Sequence, residues 1–160
     1  MVNVTLICIG KLKEAYLRAA CAEYHKRLGA FCRMTVIELA QSRLPDRPSG
    51  AQIEAALCDE GARILAKLPR GAYPIALCIE GGRLSSEGLA ARIAALAANG
   101  DSAIAFIIGG SFGLCDEVKQ RCRLRLSMSD MTFAHQLARV MLLEQIYRAF
   151  SINANTKYHK

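Results

Sequence analysis

No run of about 18 uninterrupted apolar residues, the length needed to cross a bilayer, occurs in this chain. Its most apolar helical stretch, near the C-terminus, is broken by Arg139, Glu144 and Arg148. A membrane span is therefore excluded. The opening segment from Val2 to Ile9 is short, alternates like a strand and lacks a basic leader, so it does not read as a secretory signal. A soluble, cytoplasmic protein is expected. Cysteines at metal-ligand spacing are also missing. The seven present, Cys8, Cys21, Cys32, Cys58, Cys78, Cys115 and Cys122, include no CxxC pair. In a cytosolic chain such scattered thiols read as small buried hydrophobes rather than as a disulfide framework or a zinc site. No metal is expected. Internal repeats, low-complexity segments and a domain boundary are lacking too.

What is present is enough for a substantial core. The 160 residues are 52% hydrophobic, which fits one domain spanning residues 1–160. Strand and helix signals alternate along it. Val2 to Ile9 reads as a strand, Glu14 to Leu28 as a helix closed by a left-handed Gly29, and Met34 to Leu39 as a second strand. Gln41 to Gly50, with Pro45 and Pro48, is a long loop whose Arg43 and Arg47 are placed to touch a partner. A helix from Ala51 to Leu68 stops before Pro69 and Gly71. Ile75 to Ile79 is a third strand ending in Glu80-Gly81-Gly82, and Ser85 or Ser86 caps a helix running to Ala98. Ala103 to Ile108, a short helix from Asp116 to Arg123, and Leu124 to Met128 complete the pattern before a final helix that ends near Phe150. Five strands separated by helices predict an α/β fold with a mainly parallel sheet.

The region from Ala103 onward carries the functional signals. The strand ending at Ile108 drops into Gly109-Gly110-Ser111-Phe112-Gly113, and a glycine turn at a strand's carboxyl end lets the backbone approach a ligand. The turn is neither a dinucleotide fingerprint, which would need glycine at Ile108, nor a P-loop, because no Gly-Lys-Ser/Thr follows. Taken alone it is either a ligand contact or a structural turn. The next strand passes through Ser129 to His135 into the final helix, so two strand ends, close in sequence, predict a crevice. His135 and Arg139 are one turn apart on one helix face. His135 is either a structural hydrogen-bonding group or a proton carrier near neutrality. The final helix is apolar nearly all round, which predicts burial in the core or against a second subunit.

Charge is uneven. Residues 1–118 hold 13 Lys/Arg against 12 Asp/Glu, whereas residues 119–160 hold 8 against 2. A basic C-terminal end suits a polyanion such as nucleic acid; a solvated basic face accounts for it equally well. The closing Tyr158-His159-Lys160 reads as a frayed end, although these residue types also stack on and bond to RNA.

Several segments together carry a resemblance. They are Ile107 to Leu114, Leu126 to Gln136, Arg139-Val140, Glu144 to Phe150 and Tyr158-His159-Lys160, with Ile9 to Lys13, Tyr24 and Arg27-Leu28 near the start. The chain resembles, over its whole length, the bacterial large-subunit rRNA pseudouridine N3-methyltransferase family of the SPOUT superfamily. The resemblance implies a homodimer with a C-terminal trefoil knot that shapes an S-adenosylmethionine pocket. It places the cofactor contacts on Leu77, Gly109, Met128, Ser129, Asp130, Met131, Thr132 and Phe133. It also implies a substrate: a pseudouridine in the intersubunit-bridge hairpin, helix 69 of 23S rRNA, on the assembled 70S ribosome. His135, Arg139, Tyr158 and His159 are the expected catalytic and positioning residues. Two departures stand out, Ala134 where many relatives have proline and Phe112 where many are polar. Two other functions remain compatible with the residues: a non-catalytic ribosome-associated RNA-binding protein, and a SPOUT ribose 2′-O-methyltransferase.

Overall fold

A computed structural model describes residues Met1 to Lys160. The chain runs β1 (Val2–Ile9), α1 (Ala15–Leu28), β2 (Cys32–Leu39), α2 (Gly50–Lys67), β3 (Tyr73–Arg83), α3 (Ser86–Ala98), β4 (Ala103–Ile108), α4 (Asp116–Arg121), β5 (Leu124–Ser127) and α5 (His135–Asn153). The strands form one sheet in the order β2-β1-β4-β3-β5, and every neighbouring pair is parallel. All strands therefore end on the same edge. No helix is long and apolar enough to cross a membrane.

Alternation along the strands divides the core between the two faces of the sheet. Val4, Leu6 and Cys8 of β1 join Ile104, Phe106 and Ile108 of β4 in the larger cluster, which is closed by residues of α1, α3 and α5 such as Leu28, Ile93 and Ile146. Ile7, Ile9 and Ile107 point the other way and meet Ile64 of α2 and Val118 of α4. Residues fully buried on both faces are what a parallel sheet covered by helices requires. Three cysteines, Cys8, Cys21 and Cys32, are buried, and none of the seven is disulfide-bonded. Burial pushes the Cys8 thiol up to about 12.

The structure corrects four local expectations. Gly29 is not left-handed: it continues the right-handed helix at φ −57°, donating to Lys26 and Arg27 carbonyls. The third strand does not stop at Ile79. After a register shift beyond Leu77, Gly82 and Arg83 pair with Leu126 and Ser127. Glycine at 81 permits this close approach of β3 to β5, since a Cβ there would lie 2.7 Å from the Arg125 carbonyl. The strand ends of β4 and β5, close in sequence, are not neighbours in space, because β3 lies between them. Finally, α2 begins at Gly50 behind a capping box in which Ser49 and Gln52 satisfy each other's backbone N–H groups, a start signal at a residue pair the sequence pattern did not single out.

The C-terminal tail is not frayed. Tyr158 donates its hydroxyl to Glu144 Oε1 at 3.0 Å, its ring meets Tyr147 edge-on at 4.7 Å, and His159 Nε2 lies 2.8 Å from Glu87 of α3. Burial and the neighbouring carboxylate hold the Tyr158 hydroxyl protonated, well above the ordinary phenol range.

Candidate cofactor cleft

At the carboxyl edge, a cleft of about 730 Å³ opens over the ends of β3, β4 and β5. That size suits a small-molecule ligand. Its walls are Leu77 to Glu80 at the register shift of β3, the glycine turn from Ile108 to Leu114, and the segment after β5 that leads to His135 and Ala138. Of the residues expected to hold a cofactor, Leu77, Gly109, Met128, Ser129, Met131, Thr132 and Phe133 all line it. Asp130 does not; it is exposed and pairs with Arg83 at 2.9 Å.

The glycine turn is built for compactness. Gly113 sits at φ +81° and its N–H donates to the Gly110 carbonyl at 3.1 Å. A Cβ on Gly109 would collide with the Gly113 carbonyl oxygen. Glycine at 109 is thus demanded first by the turn's own backbone. Across the cleft, Ser129 Oγ accepts from the Met131 N–H, and Ser127 Oγ donates to the Ser129 carbonyl, both at 3.0 Å. These local bonds shape the second wall and leave Met131 largely exposed at its rim.

Sequence reasoning did not single out Lys119 or Cys78, and placed Glu80 only in the turn that ends the third strand. All three line the cleft. Lys119 pairs with Glu80, and that hydrogen bond holds the Glu80 carboxyl below its ordinary range. Lys119 comes from α4 and Glu80 from β3, so only the fold brings them together.

His135 reaches the cleft from the first turn of α5. Desolvation, followed by the positive charges of Arg139 and Lys13, lowers its pKa. A helix N-terminus favours the neutral ring as well. Both effects favour the neutral imidazole, which has a ring nitrogen able to accept a proton. Arg139 is different: it is 3% exposed and lies behind the cleft wall rather than in it. Its guanidinium donates to Glu38 Oε2 at 2.6 Å and to the Gly10 carbonyl at 2.9 Å, which ties the ends of β1 and β2 to α5. Arg139 is a positioning residue. Tyr158 and His159 do not enter the cleft of their own chain. The Tyr158 hydroxyl is held at Glu144, nine residues along α5 from His135, about 14 Å of helix.

The parallel sheet, the glycine turn and the strand-end cleft define an open α/β protein with a small-molecule site, and comparison with known proteins supplies the family. Residues 2–159 match the family model described as "Predicted SPOUT methyltransferase", and the chain belongs to that SPOUT methyltransferase family. Among curated relatives, "Ribosomal RNA large subunit methyltransferase H" of Bifidobacterium animalis subsp. lactis is 52% identical, covering 99% of both chains. The protein of that name from Clostridium novyi is 49% identical with the same coverage. Solved structures share the fold at lower identity. A probable methylase family protein from Haemophilus influenzae superposes with a TM-score of 0.55 at 16% identity, over 99% of this chain and 71% of that one. A probable methyltransferase from Bordetella pertussis gives 0.53 at 15% identity, over 93% and 96%.

Proposed function

We propose that this chain is an S-adenosylmethionine-dependent methyltransferase of large-subunit rRNA, acting in the cytoplasm on N3 of a pseudouridine in helix 69 of 23S rRNA within the assembled 70S ribosome. The observation that carries the chemistry is the position of His135, partly desolvated, at a cleft walled by the glycine turn and Met128 to Phe133. The relatives' names support rRNA as the target class. The apolar walls suit the adenine ring and the methylene groups of the cofactor, and the Glu80–Lys119 pair offers both signs of charge to its ammonium and carboxylate. When bound, S-adenosylmethionine supplies a methyl group already activated by the positive sulfur. A trefoil threading of the two cleft-lining loops belongs to the same reading.

The protein's part is to orient and to manage one proton. An imide nitrogen becomes a strong nucleophile on losing its proton, and a neutral imidazole at the cleft mouth is a suitable acceptor. Desolvation chiefly, and the charge of Arg139 after it, disfavour the protonated imidazole, and Arg139 also fixes the backbone at Gly10 beside it. Because each chain's tail is docked away from its own cleft, the reading includes a homodimer in which the tail of one copy serves the cleft of the other. Leu84 and Leu137 are exposed apolar residues beside a groove that also holds Val140 and Met141 of α5. That face is the natural seat for the second copy.

Transfer of labelled methyl groups to assembled ribosomes and to deproteinised rRNA tests this reading. Label should appear as N3-methylpseudouridine in ribosomes only, and removal of Tyr158 to Lys160 should abolish most of it while leaving cofactor affinity nearly intact. Gly109→Val should lose cofactor binding through collapse of the turn. Label on a ribose oxygen would favour the 2′-O reading; saturable ribosome binding with no cofactor affinity would favour a non-catalytic protein.

A further inference from the structure

The concentration of positive charge near the C-terminus of the sequence does not translate into a basic face at the cleft. Of its cations, Lys119, Arg139 and Arg148 are held in ion pairs with Glu80, Glu38 and Glu144. Arg121, at the end of α4, and Arg123 lead into the first residue of β5, at the edge opposite the cleft. Arg123 lies there over the Tyr73 ring at 5.4 Å, and Arg125, in the same strand, donates to the Lys119 carbonyl. The cations on the cleft's own edge come from elsewhere. Lys11 and Lys13 follow β1, Arg43 and Arg47 follow β2, and all four are exposed. Their side chains take part in no ion pair.

These two loops are fastened to the cleft. The Lys13 N–H donates to Gln136 Oε1 at 3.0 Å, beside His135, and Arg139 holds the Gly10 carbonyl. Arg18 braces the same loop by donating to the Leu12 and Lys13 carbonyls at 3.2 and 2.7 Å. The second loop touches the glycine turn through Gln41 and Ser111, 3.5 Å apart. Its root is fixed where Glu60 and Asp59 accept from Ser42 and Arg63 donates to the Ala40 carbonyl. Neighbouring strands lie about 4.8 Å apart. In the order β2-β1-β4, the two basic loops therefore rise one and two strand spacings from the glycine turn.

We propose that Lys11, Lys13, Arg43 and Arg47 form a phosphate-binding lane over the carboxyl ends of β1 and β2, along which the substrate RNA backbone lies while the target base enters the adjoining cleft. The proposal rests on the reading of the protein as an rRNA methyltransferase and names the surface that reading lacks. Lysine and arginine on short braced loops neutralise phosphates without reading sequence. The only acidic side chains in these segments are Glu14 and Asp46, so the lane stays positive. A loop held by Gln136 and Arg139 would also transmit the position of the RNA backbone to His135.

The test compares Lys11→Ala/Lys13→Ala/Arg43→Ala/Arg47→Ala with a control of equal charge loss, Arg33→Ala/Lys67→Ala/Arg70→Ala/Arg92→Ala, whose residues are exposed and lie away from the carboxyl edge. Affinity for assembled bacterial ribosomes is measured against salt concentration, with calorimetry of S-adenosylmethionine binding alongside. Each phosphate that the protein no longer neutralises lowers the slope of log affinity on log salt by about 0.7 to 0.9, so the lane variant should drop by about 3 in slope and more than tenfold in affinity. The control should change the slope by less than about 1, and both variants should bind the cofactor like the parent. A lane variant that keeps the parent's slope, or a control that falls as far, overturns the lane while methylation by the parent leaves the functional reading standing. A parent that neither binds nor methylates ribosomes removes both.

Discussion

The basic C-terminal third and the two loops after β1 and β2 carry the same kinds of side chain in opposite situations. In the C-terminal third, Arg139 is buried with a carboxylate and a carbonyl on its guanidinium, and Arg148 lies between Glu144, the Tyr158 ring at 4.8 Å and His159. In the loops, Lys11, Lys13, Arg43 and Arg47 stand in water. Arg139 and Arg148, enclosed by protein partners, have little left to offer a ligand, and a cation that faces solvent contributes little to the fold. Where charge is dense in the sequence it is here mostly architecture; where it is sparse it sits on the working edge of the sheet. Replacing cations one at a time by alanine breaks or sharpens that contrast.

Arg139→Ala should have the largest effect. It leaves Glu38 and the Gly10 carbonyl without their partner, and removing one member of a buried pair costs about 3 to 5 kcal/mol. Glu38 is 34% exposed, so the lower end, about 3 kcal/mol, applies because water can solvate the orphaned carboxylate. Urea unfolding should show it as a lower midpoint at unchanged slope. Arg139→Lys should recover part of the loss, keeping the charge but not the two-pronged reach. A loss below about 1 kcal/mol would mean that Arg139 is only a surface cation after all.

His135 should report its desolvated position through pH. Its folded pKa lies below the ordinary value of 6.5, so the unfolded chain takes up the proton first on acidification. Stability linked to His135 is therefore complete above about pH 6.5 and declines as pH falls toward the folded pKa. Methyl transfer that uses the neutral ring should fall along the same limb, with an apparent pKa below 6.5. His135→Gln should lower the rate at neutral pH by about 10² to 10⁴ and flatten the limb. An acid limb unchanged in that variant would assign it to another group.

Much of this was readable from sequence where the signal is local. The alternation in β1, the apolar run of β4 and the glycine turn at Gly109 lie in continuous segments, and so do Met128 to Phe133, which the family resemblance implies as cofactor contacts and of which all but Asp130 line one cleft. Legibility failed where partners are remote. Nothing local says that Glu38 receives Arg139, that Glu80 receives Lys119, or that Tyr158 docks on Glu144. Net charge per segment misled for the same reason, because the partners of Arg139 and Lys119 are contributed by β2 and β3. Gly29 failed differently: a glycine after a helix suggests a left-handed cap, yet a further turn at Ala30 and Phe31 continues the right-handed path through carbonyls of Arg27 and Leu28.

Arg148→Ala should have an intermediate effect, about 1 to 2 kcal/mol, since a half-buried ion pair and a cation over an aromatic face disappear together. The larger consequence should be local. Glu144 keeps only Tyr158 and Gln145 as donors, and His159 loses one of its two partners. Amide exchange in residues 156–160 should therefore accelerate more than in α5 itself. Uniform acceleration along the whole helix would show that the tail and α5 open as one unit.

Arg47→Ala completes the series at its small end. The side chain is exposed and has neither a hydrogen bond nor an ion pair, and substitutions of that kind change stability by about 0.5 kcal/mol or less. Its thermal midpoint should coincide with the parent's within a few degrees. Ribosome affinity should nonetheless fall, and its salt slope should drop by about 0.7 to 0.9 if the side chain neutralises one phosphate. The pairing of a null result in stability with a measurable one in binding distinguishes a working cation from an architectural one, because Arg139→Ala predicts the reverse order of effects. If Arg47→Ala destabilised the protein as much as Arg148→Ala, the loop would be part of the scaffold, and the division between the two regions would fail at the point where it is easiest to measure.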